Sequence, residues 1–189
     1  GKSRTLACIA GLVRPDRGRV ALGDEIWFDQ ARGVELPIHE RRAGFLFQSL
    51  ALFPHLTARQ NVEYGIPRAV PADERRARVT AMLERMQVLG LADRKPRTFS
   101  GGEAQRVALA RAFAMQPRVV LLDEPFSALD AAVKTELLRE VAGELAARAI
   151  PTILVTHQPD EAEILGERVV FVEKGRVTRT ASIASRPFA

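Results

Sequence analysis

Short apolar runs alternate with amphipathic stretches along this chain. Uninterrupted apolar residues lie within segments 43–48, 118–125 and 152–157, as is typical of buried strands. Between residues 131 and 148, apolar residues recur at intervals of three and four, which predicts a helix. Apolar strands that alternate with helices indicate a parallel α/β sheet.

The two ends of the chain carry further elements. Residues 3–13 suit a helix that ends before Pro15 and Gly18. Residues 19–28 predict two short strands around a turn, and residues 167–177 predict a strand, a turn and another strand.

The middle of the chain is helical in pattern. Segments 71–94 and 101–117 predict helices, and the first carries apolar residues at helical spacing at Val79, Met82, Leu83, Met86 and Leu89. We therefore predict a helical subdomain at 57–116, inserted into an α/β core formed by 1–56 and 117–189.

Composition argues against a disulfide-bonded, membrane-spanning or nucleic-acid-binding protein. The chain has 189 residues, of which 47% are hydrophobic, and its single cysteine, Cys8, excludes an internal disulfide. No apolar run approaches the roughly 20 residues that a membrane helix needs. The net charge is +5, but the arginines are dispersed among acids, so no nucleic-acid partner is expected.

Polar side chains follow three of the predicted strands. Gln48, the pair Asp123–Glu124 and His157 end apolar runs, and ligands of parallel α/β sheets bind at the carboxyl ends of strands. An aspartate there can hold Mg²⁺ beside phosphate oxygens, and the next glutamate can polarise a water molecule. Many strands end in acids, and a lone histidine at a strand end is often structural, so the pattern alone leaves both interpretations open.

A second candidate site lies where the last helix of the helical block begins. Ser100 and Glu103 have the spacing of a capping box, and Gly101 and Gly102 lie between them. Capping accounts for the serine and the glutamate. It does not account for two glycines at a position costly for a helix, which favours close approach of a phosphate to the helix N-terminus.

Six motifs occur in a fixed order: GKS, LFQ, FSGGEAQRVALARA, VVLLDEP, SALD and VTH. This series resembles the nucleotide-binding subunits of ABC transporters over nearly the whole chain. The resemblance implies an α/β P-loop NTPase fold, ATP and Mg²⁺ as cofactors, and ATP hydrolysis coupled to transport. It also implies that the opening tripeptide ends a Walker A phosphate loop.

The resemblance assigns roles at the cis nucleotide site. Gly1 and Lys2 would bind phosphate, and Ser3 would contact Mg²⁺. Asp123 would be the Walker B ligand of Mg²⁺, and Glu124 the general base.

Other roles concern communication and the dimer. Gln48 would link Mg²⁺ and the attacking water to the membrane partner, and His157 would contact the γ-phosphate. Residues 100–103 would bind the ATP held by a second copy of the chain, although the family usually has Gln at the position of Glu103. Asp130 would lie in the dimer interface.

The resemblance also suggests a transport substrate. Segment 33–66 is most similar to importers of molybdate, with sulfate close behind; importers of polyamines, ferric iron or sugars are alternatives. The expected partners are a second copy of the subunit, transmembrane permease subunits and, indirectly, a solute-binding protein. The expected location is peripheral, on the cytoplasmic face of the membrane.

Two other functions compete with this one. A soluble ABC ATPase of DNA repair or translation shares the motifs but usually carries long coiled-coil insertions or two cassettes. A fragment that does not hydrolyse ATP is the second alternative, because most of the family's Walker A loop precedes the GKS tripeptide.

Overall fold

A computed structural model describes residues 1–185 and 188; the predicted core also includes residues 186, 187 and 189, which lie outside the described residues. The helices are α1 (Lys2–Ala10), α2 (Ile38–Arg41), α3 (Ala58–Tyr64), α4 (Ala72–Arg85), α5 (Gly101–Ala114), α6 (Ala131–Ala147) and α7 (Pro159–Leu165). The strands are β1 (Arg19–Leu22), β2 (Glu25–Asp29), β3 (Val34–Glu35), β4 (Ala43–Leu46), β5 (Val119–Asp123), β6 (Thr152–Val155), β7 (Arg168–Glu173) and β8 (Arg176–Ser182). Short 3₁₀ turns cover Leu89–Leu91, Pro96–Thr98 and Ile183–Ser185.

The central sheet is parallel, as predicted, in the order β4–β5–β6. Strand β5 is buried throughout, because its alternating side chains enter two separate apolar clusters on opposite faces of the sheet. The strand predicted at 152–157 is β6, at Thr152–Val155; within the part of the chain that the structure describes it pairs with β5, and Ile153 is 40% exposed rather than buried.

Two antiparallel sheets flank the central one. Strands β1, β2 and β3 form one, and Trp27 of β2 is buried against β5 and α1. Strands β7 and β8 form the hairpin predicted around Gly175, whose φ of +79° suits glycine.

Helix α1 ends earlier than predicted. Gly11, with φ of +85°, ends it in a left-handed cap, before Pro15 and Gly18 are reached. The buried guanidinium of Arg41 donates to the carbonyl oxygens of Cys8 and Ile9 at 3.1 and 2.8 Å, and so satisfies the last turn of the helix.

The direction of α1 follows from this contact. Arg41 lies two residues before β4, and the N–H of Arg118, just before β5, donates to the Arg42 carbonyl at 3.0 Å. The carboxyl end of α1 therefore lies at the beginning of these strands. Because α1 packs along β5, its N-terminus lies towards the carboxyl ends of the strands.

Helices α3, α4 and α5 pack on one another and share a large apolar cluster with β4, β5 and α6. The helix predicted for 71–94 stops at Arg85, and Gln87 has a positive φ of 57°. Of the apolar residues at helical spacing, Val79, Met82, Leu83 and Met86 are buried, whereas Leu89, beyond the end of the helix, is 38% exposed. The division into a subdomain at 57–116 and a core stays a prediction.

Candidate functional site

Three predicted site residues meet at the carboxyl edge of the central sheet. Asp123 ends β5, Glu124 follows it, and His157 lies two residues after β6. Glu124 Oε1 and His157 Nε2 are 3.1 Å apart. The His157 side chain is two-thirds exposed and that of Glu124 about one-quarter, so both can meet a ligand from solvent.

The backbone of Glu124 is held in an unusual conformation. Its φ is +51°, a left-handed value that costs energy in a residue other than glycine. The Glu124 N–H donates to the Val155 carbonyl at 2.9 Å, and its own carbonyl accepts from Ser127 Oγ at 3.1 Å. The neighbouring strand and loop thus fix the direction in which this carboxylate leaves the sheet.

Gln105 also fixes this loop, and the sequence analysis missed it. Its side chain is 2% exposed; Nε2 donates to the Glu124 carbonyl at 3.2 Å, and Oε1 accepts from the Ala128 N–H at 3.2 Å. Helix α5 is thereby joined to the residue predicted as the general base. No pattern in the sequence identifies Gln105 as a site residue, because only the fold shows that its amide faces the loop after β5.

Asp123 has the properties of a Mg²⁺ ligand that works beside phosphate. The residue is 4% exposed, and its carboxylate has no hydrogen-bond or ion-pair partner among residues 1–185 and 188. Within the same residues no group of three or more His, Cys, Asp or Glu forms a complete metal cage. A single carboxylate with an open coordination sphere fits Mg²⁺, which keeps water and takes phosphate oxygens as ligands.

The start of α1 supplies positive charge at the same edge. Lys2 and Ser3 form its first turn, which holds no acidic residue, and no side chain caps the helix. Free N–H groups and the helix dipole favour an anion there. The packing of α1 along β5 brings this N-terminus towards Asp123 and Glu124. Gly1 lies against Gly175 of the β7–β8 turn.

Gln48 lies at the same edge, one strand away. Leu46 pairs with Leu122, so the chain leaves β4 beside the end of β5, and Gln48 is exposed in the turn that follows. Leu50 and Ala51 have positive φ values of 59° and 44°. Arg111 of α5 donates to both of their carbonyls at 2.8 and 2.7 Å, which ties the loop after Gln48 to the helical block.

The N-terminus of α5 forms the predicted capping box. Ser100 Oγ accepts from the Glu103 N–H at 3.2 Å, and Glu103 accepts from the Ser100 N–H at 2.6 Å. The hydrogen bond from the Ser100 backbone, followed by that with its side chain, lowers the pKa of Glu103. The carboxylate is therefore turned back onto the helix end.

The two glycines of this helix end have a packing role as well. A Cβ at Gly102 would lie 2.9 Å from Leu129 Cδ2, and one at Gly101 would lie 3.4 Å from the Ala128 Cβ. Close packing against the loop before α6 is thus a second reason for small residues. Asp130 Oδ1 accepts from the Val133 N–H at 3.0 Å and so caps α6.

An apolar groove of about 360 Å³ lies between the first helix, β4 and the helical block. Phe53 and Tyr64 contact each other within it, with ring centroids 4.4 Å apart and planes tilted by 47°, and Arg111 lies over Phe53. Tyr64 is 67% exposed, which is high for an aromatic residue. Other lining residues are Leu12, Ile38, Phe45 and Phe47.

Together these residues can bind a polyphosphate with its metal ion and activate a water molecule. The start of α1 suits the phosphates, Asp123 suits Mg²⁺, and Glu124 and His157 are adjacent where the terminal phosphate would lie. In the part of the chain that the structure describes, no helix has the length and apolar character needed to cross a membrane.

The chain is similar in sequence to known families and proteins over most of its length. The pattern of the ABC transporter family matches residues 1–127. The molybdenum import ATP-binding protein ModC 1 of Azotobacter vinelandii is 43% identical over 97% of this chain and 50% of its own length. The sulfate/thiosulfate import ATP-binding protein CysA of Gloeobacter violaceus is 45% identical over 96% of this chain and 52% of its own length.

A solved structure has the same fold. It is an ATP-binding cassette in a dimeric post-hydrolysis state bound to ADP and Pi, with a TM-score of 0.84 and 32% identity. The match covers 97% of this chain and 81% of that one. The chain spans about half the length of the curated relatives named above.

Proposed function

The chain belongs to the ABC transporter family, and we propose that it is part of an ATP-binding and ATP-hydrolysing subunit that drives an importer of an inorganic oxyanion. The main support is the adjacency of Glu124 and His157, with 3.1 Å between Nε2 and Oε1, at the sheet edge towards which the first turn of α1 points. The relatives named as import ATP-binding proteins support the same conclusion. They do not favour the alternative of a fragment that hydrolyses nothing.

In this proposal the N-terminal turn of α1 binds the phosphates of ATP. Lys2 would neutralise charge on the β- and γ-phosphates, and Ser3, Asp123 and Gln48 would hold Mg²⁺, which when bound would offset negative charge on the phosphates. Glu124 takes a proton from the attacking water, and His157 donates a hydrogen bond to the γ-phosphate.

A second copy of the chain completes the site. Ser100, Gly101 and Gly102 of one copy would contact the γ-phosphate bound by the other, and Asp130 would lie between the copies. Dimeric cassettes among the structural relatives support this arrangement. Glu103, engaged in the capping box, leaves the N–H groups of the two glycines for the phosphate.

The permease would be contacted at the apolar groove. Its exposed Tyr64, Ile38 and Leu12 suit an apolar partner segment, and Arg111 joins its wall to the loop after Gln48. Movement of that loop on ATP binding would therefore reach the groove. The subunit would then lie peripherally on the cytoplasmic face of the membrane.

Molybdate is the substrate we favour and sulfate the second candidate. Segment 33–66 supports molybdate, and both kinds of importer occur among the relatives. A solute-binding protein and the permease would select the ion, with this subunit supplying energy to either.

The first test is ATP hydrolysis by the full-length protein as its source cell produces it, compared with Glu124→Gln. We expect the variant to bind ATP while turnover falls by about 100-fold or more, since the general base is lost. Arg76→Gln, an exposed residue of α4, is the matched control and should keep wild-type turnover. Unchanged turnover in Glu124→Gln would exclude Glu124 as the base.

The second test distinguishes the substrates. Cells with and without the gene are compared for uptake of labelled molybdate and labelled sulfate. Loss of molybdate uptake alone supports the favoured substrate, and loss of sulfate uptake alone replaces it. If neither uptake changes, the proposal of an oxyanion importer is wrong.

A further inference from the structure

A buried acid behind His157 has no place in the mechanism above. Glu161 of α7 is 2% exposed, although a carboxylate is among the groups least often buried without a partner. Two groups meet it. Thr156 Oγ1 donates to its Oε2 at 2.5 Å, and the Lys134 ammonium lies 2.9 Å from its Oε1.

Thr156 closes a turn around His157. Its Oγ1 accepts from the Gln158 N–H at 3.0 Å, so the residues on both sides of the histidine are joined by one hydroxyl. The bond to Glu161 then fixes the orientation of that hydroxyl. The backbone at His157 is held by a side chain that does not approach the site itself.

Lys134 connects this turn to a different element. It lies in the first turn of α6, four residues after the Asp130 cap, and its side chain is 13% exposed. It also pairs with Asp160 at 2.9 Å. Burial lowers the pKa of the Lys134 ammonium, but its hydrogen bonds with Glu161 and Asp160 outweigh burial and raise the pKa overall.

We infer that Lys134 and Glu161 are positioning residues that hold His157 against Glu124, acting through Thr156. This inference rests on the proposed ATP hydrolysis. Since α6 begins at the loop predicted to face a second copy, the same contacts join that loop to the His157 turn. Neither residue touches the reacting atoms.

The test compares Lys134→Met and Lys134→Arg in the full-length protein. We expect Lys134→Met to lower kcat by about tenfold or more, as small misplacements in a site do, with the KM for ATP changed less than about twofold. Lys134→Arg keeps the charge and should restore most of kcat. Thr156→Val, nearly the same in shape, should repeat the loss, and it serves where Lys134→Met does not fold.

A matched control separates positioning from general stability. Glu144, another buried glutamate, lies near the far end of α6, the helix that carries Lys134, and pairs with Arg85 and with Arg148, the latter at 2.7 Å. Arg148→Met should lower the melting temperature as Lys134→Met does, but leave kcat unchanged. Equal losses of kcat in the two variants would overturn the inference.

Two further measurements decide the question: kcat of the double variant with His157→Ala, and the NMR resonance of His157. In a His157→Ala background, Lys134→Met should lower kcat no further. In protein labelled at histidine Cε1, the His157 resonance should move with Lys134→Met and stay in place with Arg148→Met. An unmoved resonance with unchanged kcat overturns the inference, whereas absence of ATP hydrolysis in the wild type would refute the proposed function instead.

Discussion

The ends of β5 and β6 are neighbours in one sheet but are held by different forces. After β5, the backbone of Glu124 is fixed by uncharged hydrogen bonds from Gln105, from Ser127 and to Val155. After β6, the turn that carries His157 is held by the buried side chain of Glu161, which contacts Thr156 and Lys134. Glu124, the predicted base, is therefore held by hydrogen bonds between uncharged groups. His157, which is predicted to contact the phosphate, depends on contacts between charged side chains.

The difference arises from burial. Strand β5 has a partner on each side and apolar clusters on both faces, and uncharged hydrogen bonds hold the chain at its end. Among the described residues β6 has a partner on one side, its residues are partly buried or exposed, and α6 and α7 meet behind its end with charged side chains. Similar apolar runs therefore lead to two different environments.

The largest effect that would test this comparison is on stability. Leu122 of β5 and Leu154 of β6 are paired in register, but only Leu122 is fully buried. We expect Leu122→Ala to lower the free energy of unfolding by about 3–5 kcal/mol and Leu154→Ala by about 1–2 kcal/mol. Urea denaturation of both variants measures the difference, and equal losses would mean that β6 is as buried as β5.

The second effect concerns the support of Glu124. Gln105→Met keeps the length of the side chain but leaves the Ala128 N–H without its acceptor, at a cost of about 1–3 kcal/mol in the free energy of unfolding. We also expect kcat for ATP to fall by about tenfold, since the base is less well placed.

Gln30→Met, on an exposed turn, is the control for this variant and should change neither quantity. A kcat of wild-type size in Gln105→Met would show that β6 and Ser127 suffice to hold the base.

The smallest effect concerns the charges behind β6. A hydrogen bond from Lys134 lowers the pKa of Asp160, so the ionised form stabilises the folded state. Asp160 is more than half exposed, and Asp160→Asn should cost less than about 0.5 kcal/mol near neutral pH. Because the folded pKa is the lower one, this contribution is present above the unfolded pKa and is lost as the pH falls through the folded value.

Denaturation of wild type and Asp160→Asn between pH 7 and pH 2, at low and high salt, measures this contribution. High salt should reduce it. A difference that is as large at pH 2 as at pH 7 would contradict the assignment to this ion pair.

Local pattern predicted most of the elements. The strands at 43–46 and 119–123 lie within the predicted apolar runs, and the hairpin lies at the turn predicted near Gly175. Helix ends were less accurate, because Gly11 and Gln87 adopt left-handed backbone conformations that end α1 and the α4 region early. Helices α2 and α7 are too short, at four and seven residues, for periodicity to reveal them.

The sequence by itself determined the parallel α/β class, the order of the motifs and the residues at the carboxyl ends of the strands, because these depend on periodicity and spacing. Only the tertiary structure decided which of those residues meet. Glu124 and His157 are 33 positions apart in sequence, and Gln105, Lys134 and Glu161 carry no local signal. Their roles depend on contacts between distant elements, which packing alone establishes.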